Sequence, residues 1–270
     1  IVDSLVDAEK IPQENAIQTK IDTNTTSISA IGEVKSALSK LSSSLAGLVG
    51  KTSLGVSSNS TAVTATITDP SKATDFNSSM TISALATGQT LAFTGYASTT
   101  SIVGEGSLQL ERGDWSSGSF VASATKSSSS LAITSTDTLA SLRDKINILN
   151  YGVTASIFGA GDGTYNLVLK SGEGKENALR ITATESPAGS GLSRIDNTSS
   201  NSSKQKIAGA DATFVVDGMT LTRSSNSITD LFEGYTVDLV STTSTTANIT
   251  ASVDENLATA NLQSLVTAIN

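Results

Sequence analysis

Apolar residues at Ile17, Ile21, Ile28, Ile31, Val34, Leu38, Leu41, Leu45 and Leu48 set out the first pattern in the chain. From Ile31 onward their spacing alternates between three and four, which marks a heptad seam along one helix. Gly47 and Gly50 close the pattern, as residues that end helices do. A seam this narrow needs a partner helix, and Ala258, Leu262, Leu265 and Ile269 repeat its spacing near the other end. The pattern therefore predicts a two-helix, coiled-coil-like stalk, with residues 51–255 as an excursion from its tip. An ordinary helix pair in a globular core is the rival reading; the scarcity of aromatic residues near either seam favours the stalk. Ile31, Val34, Leu38, Leu41, Leu45, Leu48, Leu262 and Leu265 are accordingly the candidates for contact with a partner. Residues 1–9 also read as helical, Pro12 is expected to kink or restart the helix, and the Thr/Ser-rich residues 23–29 are its weakest part.

After Gly50 the period changes from helical to two. Val63, Ala65 and Ile67 alternate, and Ile82, Ala84 and Ala86, then Leu91 and Phe93, predict two strands with a bend at Gly88. Residues 98–106 are polar and Gly-punctuated, a plausible crossing between domains. Asp137 is expected to cap a helix carrying Leu139, Leu142, Ile146 and Leu149, which Asn150 and Gly152 end. Strands follow at Val153, Ala155 and Ile157, at Leu167 and Leu169, and at Leu179 and Ile181. Residues 187–206 are a second polar crossing. Asp217-Gly218, between Phe214, Val216 and Met219, Leu221, fits a type I′ hairpin turn. Ser227 is expected to cap a short helical turn. The sum is an α+β chain: a helical stalk from 1–50 and 255–270, a β-rich head from 51–103 and 207–254, and a second α+β head, 104–206, inserted in the first.

Composition narrows the function classes. Hydrophobic content is 37%, charged content 16% and aromatic content only 4%, so the cores must rest on Val, Ile, Leu and Ala. The net charge is −8 with scattered Lys and Arg, which makes nucleic acid and anionic membrane poor partners. No run is apolar enough to cross a bilayer. The chain does not begin with Met and reads as a piece of a longer protein. There is no cysteine, hence no disulfide or thiolate metal site, and no histidine, hence no imidazole chemistry.

The candidates for chemistry each have a simpler explanation. Gly159-Ala160-Gly161-Asp162-Gly163 lies between two strands and lacks the Gly-Lys-Ser/Thr ending of a phosphate loop, so it is a turn. No histidine can activate any of the many Ser and Thr residues. Asp211 and Asp217 flank a strand and could approach a cation, but the turn role already accounts for Asp217. The sequence thus predicts no catalytic residue, cofactor or metal. Trp115, among Gly and Ser, is either an exposed contact anchor or a cap on the core beneath a loop.

Several segments together resemble the flagellar hook-associated protein 2 family, the filament cap proteins. They are the Ile-Val-Asp-Ser-Leu-Val-Asp-Ala-Glu opening, residues 80–91 (Met-Thr-Ile-Ser-Ala-Leu-Ala-Thr-Gly-Gln-Thr-Leu), the helix at 137–147, the strands at 152–157 and 167–171, and residues 210–230. Their order and spacing carry the likeness. The resemblance implies an extracellular structural protein at the distal tip of the bacterial flagellum. Copies would close into a ring, with heads as a plate and helices as legs, and guide flagellin as it inserts. Flagellin, further copies and other hook-associated proteins are the implied partners, and adhesion is a further role of some members. It also implies terminal segments beyond both ends of this sequence. The competing class is a surface adhesin or phage-tail-like β module binding through Trp115 and the Ser/Gly loops, and the nearer rival is another extracellular flagellar hook-associated protein.

Overall fold

The computed structural model describes residues 2–48, 53–199 and 203–269. It mixes helix and sheet, in the chain order α1 (Val2–Leu48), β1 (Leu54–Ser58), β2 (Val63–Ile67), β3 (Phe76–Ala84), β4 (Gly88–Tyr96), β5 (Gly106–Asp114), β6 (Val121–Ala122), β7 (Ser129–Ile133), α2 (Leu139–Ile148), β8 (Val153–Gly159), β9 (Tyr165–Glu173), β10 (Ala178–Glu185), β11 (Gln205–Ile207), β12 (Ala212–Val216), β13 (Met219–Arg223), β14 (Ser227–Ile228), β15 (Tyr235–Leu239), β16 (Ala247–Val253) and α3 (Glu255–Ile269). The chain divides into two compact units: one holds α1, α3 and the short segment Asp69–Lys72, the other holds nearly all of the sheet.

In the first unit α1 is one helix of 47 residues, about 70 Å long at 1.5 Å per residue. Pro12 lies inside it, and the helix neither stops nor restarts there as the sequence suggested. The Thr/Ser-rich stretch also stays helical. Its hydroxyls donate back one turn, Thr23 to the Thr19 carbonyl and Ser27 to the Thr23 carbonyl, which gives each polar group a partner without solvent. Gly50 lies outside the described residues. α3 touches α1. Its start is fixed by Asp254, whose carboxylate accepts from the Asn256 and Leu257 N–H groups while its own N–H donates to the Ser53 carbonyl.

The second unit contains two hydrophobic cores. The first joins the sheet β1-β16-β3-β12-β13 to the sheet β14-β15-β2 and centres on Val63, Met80, Ile82, Phe214, Val216, Val237 and Ile249. β12 and β15 bury alternate residues, as a half-covered strand must. The Asp217-Gly218 turn closes the β12–β13 hairpin with both residues at positive φ, 46° and 85°, the type I′ requirement that favours Asp-Gly there. Ser227 begins a strand pairing with β15 instead of the expected helical turn, because Ile228 is drawn into the core opposite Val237.

The second core lies under the sheets β10-β5-β6, with β7 also on β5, and β11-β4-β9-β8, with α2 packed on β8. Leu91, Phe93, Leu108, Leu142, Leu167 and Ile181 fill it. The α2 cap is Thr138, which forms a capping box with Ser141, and not Asp137. Asp137 sits one residue earlier and ties the loop together: it accepts from the Thr134 N–H and from Ser141 Oγ, and pairs with Lys145. Burial alone would raise its carboxyl pKa, but Lys145 and these hydrogen bonds hold it well below the usual carboxylate range. Asn150, at φ 47°, and Gly152, at 72°, follow the helix end as expected. The Gly159-to-Gly163 segment connects β8 to β9, with Asp162 accepting from the Thr164 N–H and hydroxyl.

The change of core falls at residues 87–89, before the polar segment 98–106. Tyr96 and Val103 already belong with Leu108. Composition misleads there because the loop's Ser and Thr bond one another while Val103 points inward.

Candidate functional site

No described group of three or more acidic side chains could hold a metal ion. Asp211 accepts from the Lys175 N–H, and Asp217 from Ser78 Oγ and from the N–H and hydroxyl of Ser79. These bonds lower the Asp217 carboxyl pKa. Both aspartates are therefore committed within the fold. What the structure offers for function is surface and rigidity.

The surface is α1. Ile31, Val34 and Leu38 are 68%, 66% and 66% exposed, and Ile17, Ile21 and Ile28 are open as well. Leu41 is half-buried. The side chains of Leu45, Leu48 and Leu265 lie outside the described residues. α3 has 15 residues against the 47 of α1, so it can run beside only about a third of it. Its half-buried positions include Ala258 and Asn261, while Leu262 is 64% exposed. Leu262 is thus on an open side of α3 and is not buried in the seam, contrary to the sequence spacing. A helix that leaves a row of Ile, Val and Leu in water has an unmet hydrophobic demand, at about 25 cal/mol per Å² of apolar surface.

The rigidity comes from a polar joint between the two cores. The side chain of Gln89, fully buried, donates to Gln205 Oε1 at 2.6 Å and accepts from the Leu179 N–H at 2.7 Å. Its N–H donates to Ser171 Oγ. Gly88 admits this approach: a Cβ there would stand 2.3 Å from the Ser171 carbonyl oxygen. Thr87 and Ala210 exchange backbone hydrogen bonds at 2.8 and 3.0 Å. Asn226 grips Ala86 by both backbone groups, and the Glu173 carboxylate accepts from the Asn226 N–H and side-chain amide. Sequence reading missed this joint. The signal was parity: Gln89 shares a strand face with Leu91 and Phe93, and Ser171 with Leu167 and Leu169, so both buried polar residues continue a core-facing row, which Glu173 ends at an exposed position.

Trp115 is half-buried. Its indole N–H donates to the Leu179 carbonyl at 3.0 Å and its ring packs on Phe120 at 4.9 Å.

Comparison with known proteins fits this architecture. The N-terminal region of flagellar hook-associated protein 2 matches residues 1–89 and its C-terminal region matches residues 209–270, together more than half of the chain. The A-type flagellar hook-associated protein 2 of Pseudomonas aeruginosa is 29% identical over 95% of this chain and 55% of its own. The flagellar cap protein of Escherichia coli, as its D1-D2-D3 domains, superposes with a TM-score of 0.72 at 25% identity, covering 87% of this chain and 69% of that one. The D2-D3 domains of the Serratia marcescens cap protein give 0.57 at 28% identity, covering 68% of this chain and 95% of that one. The chain spans about half the length of the Pseudomonas relative. Two regional matches in the right order, on a fold shared with cap proteins, identify it: the chain belongs to the flagellar hook-associated protein 2 family.

Proposed function

We propose that this chain is the larger part of a flagellar filament cap, a structural and non-enzymatic protein that guides the insertion of exported flagellin. Family membership places it outside the cell, at the distal tip of the bacterial flagellum. The observation that carries the proposal is the superposition on a cap protein's three domains over most of the chain. In this reading α1 and α3 form a leg, and the two β-rich cores form a head, one domain inserted in the other. Residues of the first core come from 62–86 and 212–249, on both sides of the second core's 91–195, which supports the nesting. A ring of copies would make a plate of heads, with closed symmetry matching a tubular filament.

Each part then has a physical task. The open apolar row on α1 offers sites that a second copy or flagellin can cover. Contacts left unmade in the single chain are the kind that form and release as subunits pass. The polar joint keeps the head in one shape while the leg works. Deleting the native protein in a flagellated strain and supplying this protein at full length tests the proposal. Deletion should stop swarming and release unpolymerised flagellin into the medium, and resupply should reverse both. Normal filaments in the deletion strain would overturn it.

A further inference from the structure

The chain is acidic overall, yet one cleft of about 380 Å³ at the edge of the second core is lined by three cations and no carboxylate. Arg194, Lys204 and Lys206 stand there beside Phe93 and Tyr96. The arrangement is built from beneath. The Arg194 guanidinium lies 4.3 Å over the Tyr96 ring, and one terminal nitrogen donates to both the Thr94 and Gly95 carbonyls at 3.1 Å. That fixes the plane of the guanidinium and leaves its Nε and second terminal nitrogen without a partner among the described residues. Lys204 lies over the Phe93 ring and donates to the Asp196 carbonyl. Lys206 is held at the Ser203 carbonyl, 2.8 Å away.

Two features set this cleft apart. Arg143, Arg180 and Arg223 each pair with a carboxylate, whereas Arg194, like Arg112, has no carboxylate partner among the described residues, and of those two only Arg194 lines this cleft. Tyr96, only 2% exposed, has a buried hydroxyl with no hydrogen-bond partner among the described residues, and it lines the same cleft. A fixed guanidinium with a free edge suits bidentate pairing with a carboxylate. Neighbouring ammonium groups add the charge that holds it.

We infer that this cleft is an anion site that takes a carboxylate, with Arg194 as the bidentate partner and Lys206 as the adjoining charge. The carboxylate comes either from a small free acid or from an acidic peptide, and the two sources differ in how length affects binding. The test is titration of the full chain, ¹⁵N-labelled, with citrate and separately with a hexaglutamate peptide, following the Arg194 Nε–H resonance. Saturable movement of that resonance is expected with at least one probe. Lys206→Ala should weaken it about tenfold, the size of a lost charge-assisted hydrogen bond, and Arg194→Gln, followed at the Gly95 backbone N–H beside the same cleft, should weaken binding by as much. Tighter binding of hexaglutamate than of citrate assigns the source to a peptide, and the reverse to a small acid. Folding of each variant is checked by the unchanged resonances of the first core. An Arg194 resonance that stays still with both probes, or binding that is equally tight in the folded variants, would overturn the inference.

Discussion

The Glu173 carboxylate accepts two hydrogen bonds from Asn226, from its N–H and from its side-chain amide, both at 2.9 Å. Glu173 ends a strand of the second core's sheet, and Asn226 holds Ala86 at the edge of the first core. This contact lets two separate cores behave as one head. Its partners are backbone groups and an amide, so it sets one geometry and not a loose attraction.

Breaking the clasp should uncouple the cores before it unfolds either. Asn226→Ala removes the grip on Ala86 and the side-chain bond to Glu173, leaving the backbone N–H bond, and is expected to cost about 1–3 kcal/mol, the range for hydrogen bonds to charged and buried groups. Calorimetry should then resolve two transitions where the parent shows one. A single transition at the parent temperature would show that the clasp does not couple them.

Asp137 should make stability sensitive to acid. Its folded-state pKa is depressed, so it stabilises the fold above the unfolded value near 3.9 and loses that contribution as pH falls toward the folded value. Asp137→Asn should be less stable at pH 7 by about 1–3 kcal/mol, since Lys145 keeps some solvent contact and the loss is partly screened. The gap should narrow in denaturant melts from pH 5 to pH 2.5. A constant gap would mean that the carboxylate's charge is not what matters.

Leu142 is fully buried on the core face of α2. Leu142→Ala should cost about 2–5 kcal/mol and be felt mainly in the second core. Hydrogen exchange in the Asn226→Ala background is the check: with the clasp weakened, protection should fall in α2, β8 and β9 while Phe214 and Val237 keep theirs. Equal losses in both cores there would mean that something other than the clasp couples them.

Much of this fold was legible because its signals are local. The alternation of Phe214 and Val216 and the Asp217-Gly218 turn specify a hairpin within ten residues, and Leu139, Leu142 and Ile146 specify a helix face. What was not legible depends on partners far along the chain. Gln89 meets Leu179, ninety positions away, and Asn226 meets Ala86, 140 away. Ser227 reads as a cap until β15 offers Ile228 a place in the core. Pro12 reads as a break, yet the helix passes through it. On the candidate site, the apolar row of α1 was visible from spacing alone. That Ile31, Val34, Leu38 and Leu262 remain open depends on which faces α1 and α3 turn toward each other, which spacing does not state.

The open row on α1 is where fold and proposed function meet, and swarming of cells whose only copy of the full-length protein carries Ile31→Ser with Leu38→Ser tests it. Both side chains are exposed, so the double change should alter stability by less than about 1–1.5 kcal/mol, mostly helix propensity, and leave the circular dichroism spectrum as it was. If the row is an assembly surface, these cells should lose swarming and shed flagellin into the medium while making normal amounts of folded protein. Normal swarming by cells that carry the folded variant would contradict a working role for this face of the helix.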